Sequence, residues 1–451
     1  MAARSIALRA ASDREMPAAA ASSSSARSCS SVTLIASCVV MRSVYVTHDT
    51  SASGHTCPMA EPITADGRRL IAARGVRGFA DGLVAVSLSA FLTIELGYSA
   101  ARTGLIVTGM LVGSAGLTLA TGLAGSRFRR RSLLLAGTVV MILTGLVYAA
   151  ADTFWILLAV GIVGTINPSS GDVSVFQPLE QSLLPMTTTD AGRSALFARY
   201  TFGGALLAAI GSAAAGLPEK LGISATSVFV AYSVAGVIVS FVYSTLSAEL
   251  EPAASRPQPL GPSKRMVYRL AALFSLDALG GGFVVQSLLA LWLFRRHDFT
   301  VADAGLTLGA MGVLAAASGF IAVRIEKRLG PIKTMAFTHM PAQILLIGAA
   351  LMPNGTLAVL CLLGRSLLSS MDVPVRNAYV MTVVTPPERA AAASVTNVPR
   401  SLASASTPFV AGWMLDQTSF GWPLIAAGVC KLTYDVLLLI LFDDRRVARS
   451  T

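Results

Sequence analysis

Four ionisable residues lie deep inside apolar runs of this chain and could do chemistry there: Asp81, Asp277, Arg365 and Arg400. A carboxyl group shielded from water can take a proton from one side of a barrier and release it on the other. A shielded guanidinium stays charged and offers a fork of donors to a carboxylate or phosphate. The chemistry on offer is charge handling rather than bond making. Each residue also has a structural reading: the aspartates in fixed ion pairs or hydrogen bonds to neighbouring helices, the arginines as their counter-charges. A second group, Asp172, Glu180, Arg199, Asp372 and Arg376, falls nearer the ends of apolar runs, where long side chains can reach back to an interface. Asp372 and Arg376 are one helical turn apart, with Pro374 between them. That spacing predicts a kinked helix end with an internal salt bridge, or more sharply a gate hinge. Lys431 and Asp435 are also four apart and are expected to pair with each other. His339 is the only histidine in an apolar run, with no acid beside it in sequence.

Other chemistries have no visible seat. There is no GxxxxGK[ST] phosphate loop, no HExxH and no GxSxG. Cys29, Cys38 and Cys57 lie near the N-terminus, Cys361 and Cys430 stand alone, and no CxxC spacing occurs. The expectation is a protein that is not an enzyme and holds no metal or cofactor. The 451 residues are 54% hydrophobic and only 13% charged, against about a quarter charged in ordinary soluble domains. Lipid as solvent accounts for so much apolar surface. The net charge of +11 would raise nucleic acid as a partner for a soluble chain. Here the basic residues sit in short gaps between apolar runs, which suits a membrane surface and argues against nucleic acid.

The elements that must position these residues are spanning helices of about 20 apolar residues each. Twelve are predicted, at 73–95, 103–124, 132–150, 154–176, 194–216 and 226–247, then at 266–294, 302–323, 334–352, 356–378, 391–415 and 421–442. The Ala/Ser-rich segment 1–65 reads as a disordered extension, with Met59 as the expected true start. Residues 248–265, rich in Pro and charge, read as a linker between a bundle at 66–247 and another at 266–451. With the N-terminus inside, most basic residues fall on one side, among them Arg68 and Arg69, "RFRRR" at 127–131, Arg324 to Arg328, and Arg445 and Arg446, while Arg102, Lys220, Arg295 and Arg296 fall on the other. That is the bias of cytoplasmic loops. At about 1.5 Å per residue from that side, Asp81 lies ~12 Å deep and Asp277 and Arg400 ~15 Å. "TINPSSGDV" at 165–173 should break the fourth span. Gly109 and Gly113 should pack against a neighbouring helix. Trp155, Trp292, Trp413 and Trp422 fall near span ends, as interfacial tryptophans do.

The chain also repeats itself. "SAARTGL" at 99–105 matches "TVADAGL" at 300–306, and at a nearly constant offset Arg127 meets Arg328, Asp172 meets Asp372, Arg199 meets Arg400 and Asp81 meets Asp277. Two halves in the same orientation are parallel repeats, related by an axis along the membrane normal.

Six plus six spans, a charged central linker and a basic loop after span two resemble the major facilitator superfamily, whose loop signature is G-x-x-x-D-R-x-G-R-R. Here "GLAGSRFRRR" supplies Gly122, Arg127, Arg130 and Arg131. Ser126 replaces the aspartate and Arg129 the second glycine. The second-half loop supplies Arg328 and Gly330. The resemblance covers residues 70–443. It implies an all-α integral membrane protein of two pseudo-symmetric six-helix bundles, and a midplane site lined by spans one, four, seven and ten. It also implies a loop that braces the halves; with the signature aspartate replaced, Asp372 and Glu388 are the candidate carboxylates for Arg127. The function it implies is transport of a small solute by alternating access, with proton coupling expected from the shielded carboxylates. Efflux and uptake of an organic anion both stay open. The alternative is a membrane sensor or scaffold that keeps the fold without transporting. The expected setting is the cytoplasmic membrane, as a monomer with both termini inside, and with the bilayer, a small solute and protons as partners.

Overall fold

The computed structural model describes residues 63–124, 128–169, 174–189, 192–247, 250, 260–261, 263–385 and 388–442. The N-terminal extension, most of the linker, Arg127 and Asp172 lie outside the described residues. Helices occupy each of the twelve expected positions. In the first half they are α1 (Ala65–Ala90), α2 (Ala100–Ala124), α3 (Arg130–Ala150), α4 (Phe154–Val163), α5 (Phe176–Leu183), α6 (Arg193–Ala213) and α7 (Ser227–Ser244). The second half contains α8 (Lys264–Phe283), α9 (Gln286–His297), α10 (Val301–Leu329), α11 (Pro331–Leu351), α12 (Gly355–Ser369), α13 (Asp372–Val383), α14 (Arg389–Ser406), α15 (Pro408–Gln417) and α16 (Trp422–Leu441). Nine segments among the described residues are long and apolar enough to cross a bilayer. Of the remaining expected spans, the tenth and eleventh are each built of two shorter helices, and the fourth is helical over Phe154–Val163, with α5 starting at its last residue.

Local sequence accounts for the ends. Thr64 accepts from the Gly67 amide at the start of α1, and Thr300 and Asp303 form a reciprocal capping box on α10. Gly330, at φ +80°, ends α10 and begins α11 in a conformation that a side chain would strain. The fourth span breaks at 164–167, where the Asn167 side chain accepts from the Ser169 amide at 2.9 Å.

The outward faces are apolar, the reverse of a soluble bundle. Val139, Leu143 and Leu146 on α3, and Val230, Val234, Val237 and Phe241 on α7, are all exposed, as lipid contact requires. The inward faces carry the buried polar residues. Packing repeats between the halves: α1 lies along α6 as α8 lies along α14.

Two seams join the halves, α2 with α15 and α6 with α10. At the first, a Cβ on Gly104 would meet the Pro408 carbonyl. At the second, a Cβ on Gly305 would lie 2.5 Å from the Ser212 carbonyl. The two glycines matched in the repeat thus do the same work in opposite seams, letting backbones approach closely. Asp416 accepts from the amides of Ala100 and Ala101, each at 2.8 Å, and from Arg295 at 3.1 Å. Gln286 donates to Ser212 at 2.7 Å, and the Ser287 amide donates to the Pro168 carbonyl at 3.2 Å. These contacts gather toward the end where α1 finishes and α2 begins, away from the arginine loops.

Candidate functional site

Asp277 is the centre of an ionic cluster in the second half. Lys431 donates to its Oδ1 at 2.6 Å and Arg376 to its Oδ2 at 3.2 Å. Arg376 also bonds Asp372 at 3.1 Å, so the predicted turn-to-turn pair exists and is shared with Asp277. The break between α12 and α13 sits immediately before Asp372. His339 Nδ1 lies 3.0 Å from both Asp435 oxygens, and its Nε2 is 3.8 Å from Asp277 Oδ1 and 3.0 Å from the Gln343 amide nitrogen. Arg365, on α12, is half-buried; Asp277 supplies its electrostatic counterpart, and its Nε has no hydrogen-bond partner. In lipid or protein interior, such charges persist only when paired. Asp277 is saturated by Lys431 and Arg376, and Arg365 is left with donors to spare.

The first half holds a second cluster. Glu180, fully buried, receives Arg77, the Tyr200 hydroxyl at 2.6 Å and the Tyr243 hydroxyl at 2.7 Å. Arg77 also reaches Ser174 at 3.3 Å, and its guanidinium lies 4.4 Å from the centre of the Phe176 ring. Asp81, one turn further along α1, is buried and faces Arg77 and Arg74. Arg74 Nε and Nη1 are buried with no hydrogen-bond partner.

Several expectations need correction. Lys431 and Asp435 do not pair with each other: Lys431 reaches Asp277 on α8, and Asp435 reaches His339 on α11. His339 therefore has acids beside it after all, brought from other helices. Glu180, Asp372 and Arg376 do not reach back to an interface; all three are buried and paired. Trp292 is fully buried, whereas Trp155, Trp413 and Trp422 are exposed near helix ends. The side chains suggested for Arg127 are engaged elsewhere, Asp372 by Arg376 and Glu388 by Thr385 at 2.8 Å and by Gly261.

Arg400 is half-buried on α14, and Arg199 is exposed. Of the loop motif, Gly122 lies in the last turn of α2, Arg130 begins α3, and Arg131 donates to the Ser244 carbonyl within its own half. Arg328 is exposed at the end of α10. Gly109 packs against Leu158 and Ile162 of α4, as the GxxxG spacing predicted. Arg74 and Arg77 did not stand out in the sequence beside the basic pair Arg68 and Arg69. The signal that distinguishes them is their spacing with Asp81, which puts all three on one face of α1.

A helical membrane architecture in two related halves, with ionised groups tied inside each, defines a class: the polytopic membrane transporters. The sequence profile of the Major Facilitator Superfamily matches residues 70–371, and the chain belongs to that family. A relative described as an uncharacterized membrane protein of Saccharomyces cerevisiae is 23% identical over 361 residues, covering 69% of this chain and 80% of its own. Among solved structures, a mutant form of the nucleoside transporter NupG superposes with a TM-score of 0.67 at 13% identity, covering 84% of this chain and 98% of that one. A bacterial homolog of the human lysosomal transporter Spinster, in an inward-facing and unoccupied conformation, gives 0.59 at 17% identity, covering 83% and 94%. At these identities the likeness carries the fold.

Proposed function

We propose that this membrane transporter is a secondary active, proton-coupled carrier of a small organic anion, working by alternating access. The observation that supports it best is Arg365. Its guanidinium stands beside an Asp277 already bonded by Lys431 and Arg376, and its Nε lacks a partner. A half-buried cation with free donors, set among saturated ion pairs, is a place for a carboxylate or phosphate to dock. The seams fit one half of an alternating-access cycle, with the halves joined at one end. Placing the arginine loops in the cytoplasm, in the cell's inner membrane, makes the joined end external and the opening internal. Both termini are then cytoplasmic and the working unit is a monomer. The substrates named for the structural neighbours do not transfer at their level of identity.

The test is reconstitution in liposomes with an imposed pH gradient. Carboxylates, organic phosphates, uncharged nucleosides and amphiphilic cations are screened. Anion flux should follow the gradient, and Arg365→Gln should lower it by about tenfold or more, the equivalent of one charge-assisted hydrogen bond. Flux of uncharged solutes or cations alone, or anion flux untouched by Arg365→Gln, overturns the proposal.

A further inference from the structure

Within the second-half cluster the formal side-chain charges balance when every carboxyl is counted as ionised. Lys431, Arg376 and Arg365 face Asp277, Asp372 and Asp435. His339 stands outside that balance, and its surroundings determine its form. An ionised Asp435 can only accept, and with it Nδ1, 3.0 Å from both oxygens, carries a hydrogen. The Gln343 amide nitrogen, 3.0 Å from Nε2, can only donate, so Nε2 is bare. That arrangement suits a neutral imidazole. The Gln343 carbonyl oxygen is meanwhile buried without a partner. A half-turn of that amide exchanges its two ends. The oxygen then accepts from an Nε2–H, and the ring is cationic with both nitrogens still bonded. One set of side chains serves both protonation states, so the ring can gain a proton without losing a hydrogen bond.

We propose that Nε2 of His339 is a proton-binding site of the transport cycle, and that its proton travels with a monoanionic substrate. The site lies on α11 against α16, outside the four spans expected to line the path. Its link to the path is Asp277 Oδ1, 3.8 Å from Nε2 and held by Lys431 at 2.6 Å. A cationic ring competes with Lys431 for that oxygen. It also leaves the cluster one positive charge in excess, and an unbalanced buried charge is costly. A monoanion on Arg365 restores neutrality, whereas a dianion overshoots it. Other groups facing His339 do not alter the count. Tyr434 presents its ring edge-on at 6.0 Å. Lys333 is six residues earlier on α11, ~9 Å along the axis, and Arg324, Glu326 and Arg328 lie at the loop end of α10.

This inference rests on the transport function proposed above, but its first test does not. The chain contains four histidines, His48, His55, His297 and His339. The full-length protein is labelled with ¹⁵N-histidine and purified in nanodiscs. Spectra are taken of the native chain, of His339→Gln, and of a triple variant with the other three histidines changed to glutamine. The triple variant identifies the signal even if His339→Gln does not fold. The ring should be seen in two forms as the pH is varied, the Nδ1–H tautomer and the doubly protonated ring. Gln343→Met should move the conversion by about half a unit or more, because it removes the partner of Nε2. A ring neutral or cationic across the whole range, or a conversion unmoved by Gln343→Met, overturns the proton site. In liposomes, a monocarboxylate should then move without net charge, its rate insensitive to an imposed potential. Electroneutral movement of a dicarboxylate instead removes the monoanion assignment. If no solute moves, the transport reading fails, while the histidine titration is judged by the spectra alone.

Discussion

Glu180 accepts from three donors at once, the Arg77 guanidinium and the hydroxyls of Tyr200 and Tyr243. Arg77 is 1% exposed, so it has no route to water if its counter-ion is lost. Glu180→Ala is expected to destabilise the protein by about 3–5 kcal/mol, the cost of leaving a buried charge unpaired. Tyr243→Phe removes one neutral donor and should cost only about 1 kcal/mol. Thermal unfolding of the purified variants in one detergent checks both, and equal losses would show that the charge is not what matters. At this scale the sequence was only partly readable. Asp277 was found because a carboxylate in an apolar run is conspicuous. Its partners were missed because Lys431 and Asp435, though a turn apart, both project into the bundle and find better-placed groups on α8 and α11. Sequence spacing describes one helix face and is silent on what that face meets.

Helices and their joints were more legible, because lipid demands long apolar runs and water does not allow them. The breaks in spans four and ten were signalled by Pro168 and Pro374. The break in span eleven was not, since Pro399 lies inside α14 without ending it while Pro408 starts α15. A proline marks a constraint, and packing decides whether it becomes a joint. Two expectations belong to this scale. Gly305→Leu should hold the α6–α10 seam apart, since its Cβ already approaches the Ser212 carbonyl. A cysteine placed at the buried Ala215 should then react at least severalfold faster with maleimide. Gly319→Leu, where a Cβ meets open space, is the control and should change nothing. The second concerns Glu388, just before α14. Hydrogen bonds from the Ser263 hydroxyl, the Gly261 amide and the Thr385 hydroxyl hold its carboxyl below the usual range. A lowered carboxyl adds stability that is complete above its unfolded value and lost as pH falls through the folded one. Amide exchange at Gly261 should therefore be protected at about pH 7 and lose protection in strong acid. Glu388→Ala should remove that protection at every pH.

Across the whole molecule, the duplication is what made the architecture readable. Gly104 and Gly305, matched in sequence only as a mark of the repeat, turn out to sit at two seams that use the same close approach. The same duplication makes a topological prediction: cysteines at Ser126 and Lys327 should be labelled from one and the same side of the bilayer. Labelling from opposite sides would dismantle the two-bundle arrangement. The ionic clusters escaped this logic because the halves have diverged inside. One is built on Glu180 with tyrosines, the other on Asp277 with Lys431 and His339, so the interior of one half is no guide to the other.

The seams themselves are unequal. Asp416 grips the first amides of α2 and is held in turn by Arg295. Across the molecule α10 caps itself with Thr300 and Asp303 and meets the other half through Ala302 against Gly216. One edge of the joined end is latched by an ion pair, and the other is held by close backbone contact and the Gln286–Ser212 hydrogen bond. In the proposed carrier, opening at this end would break an ion pair along one edge and a neutral hydrogen bond along the other, so the two edges would part at unequal cost.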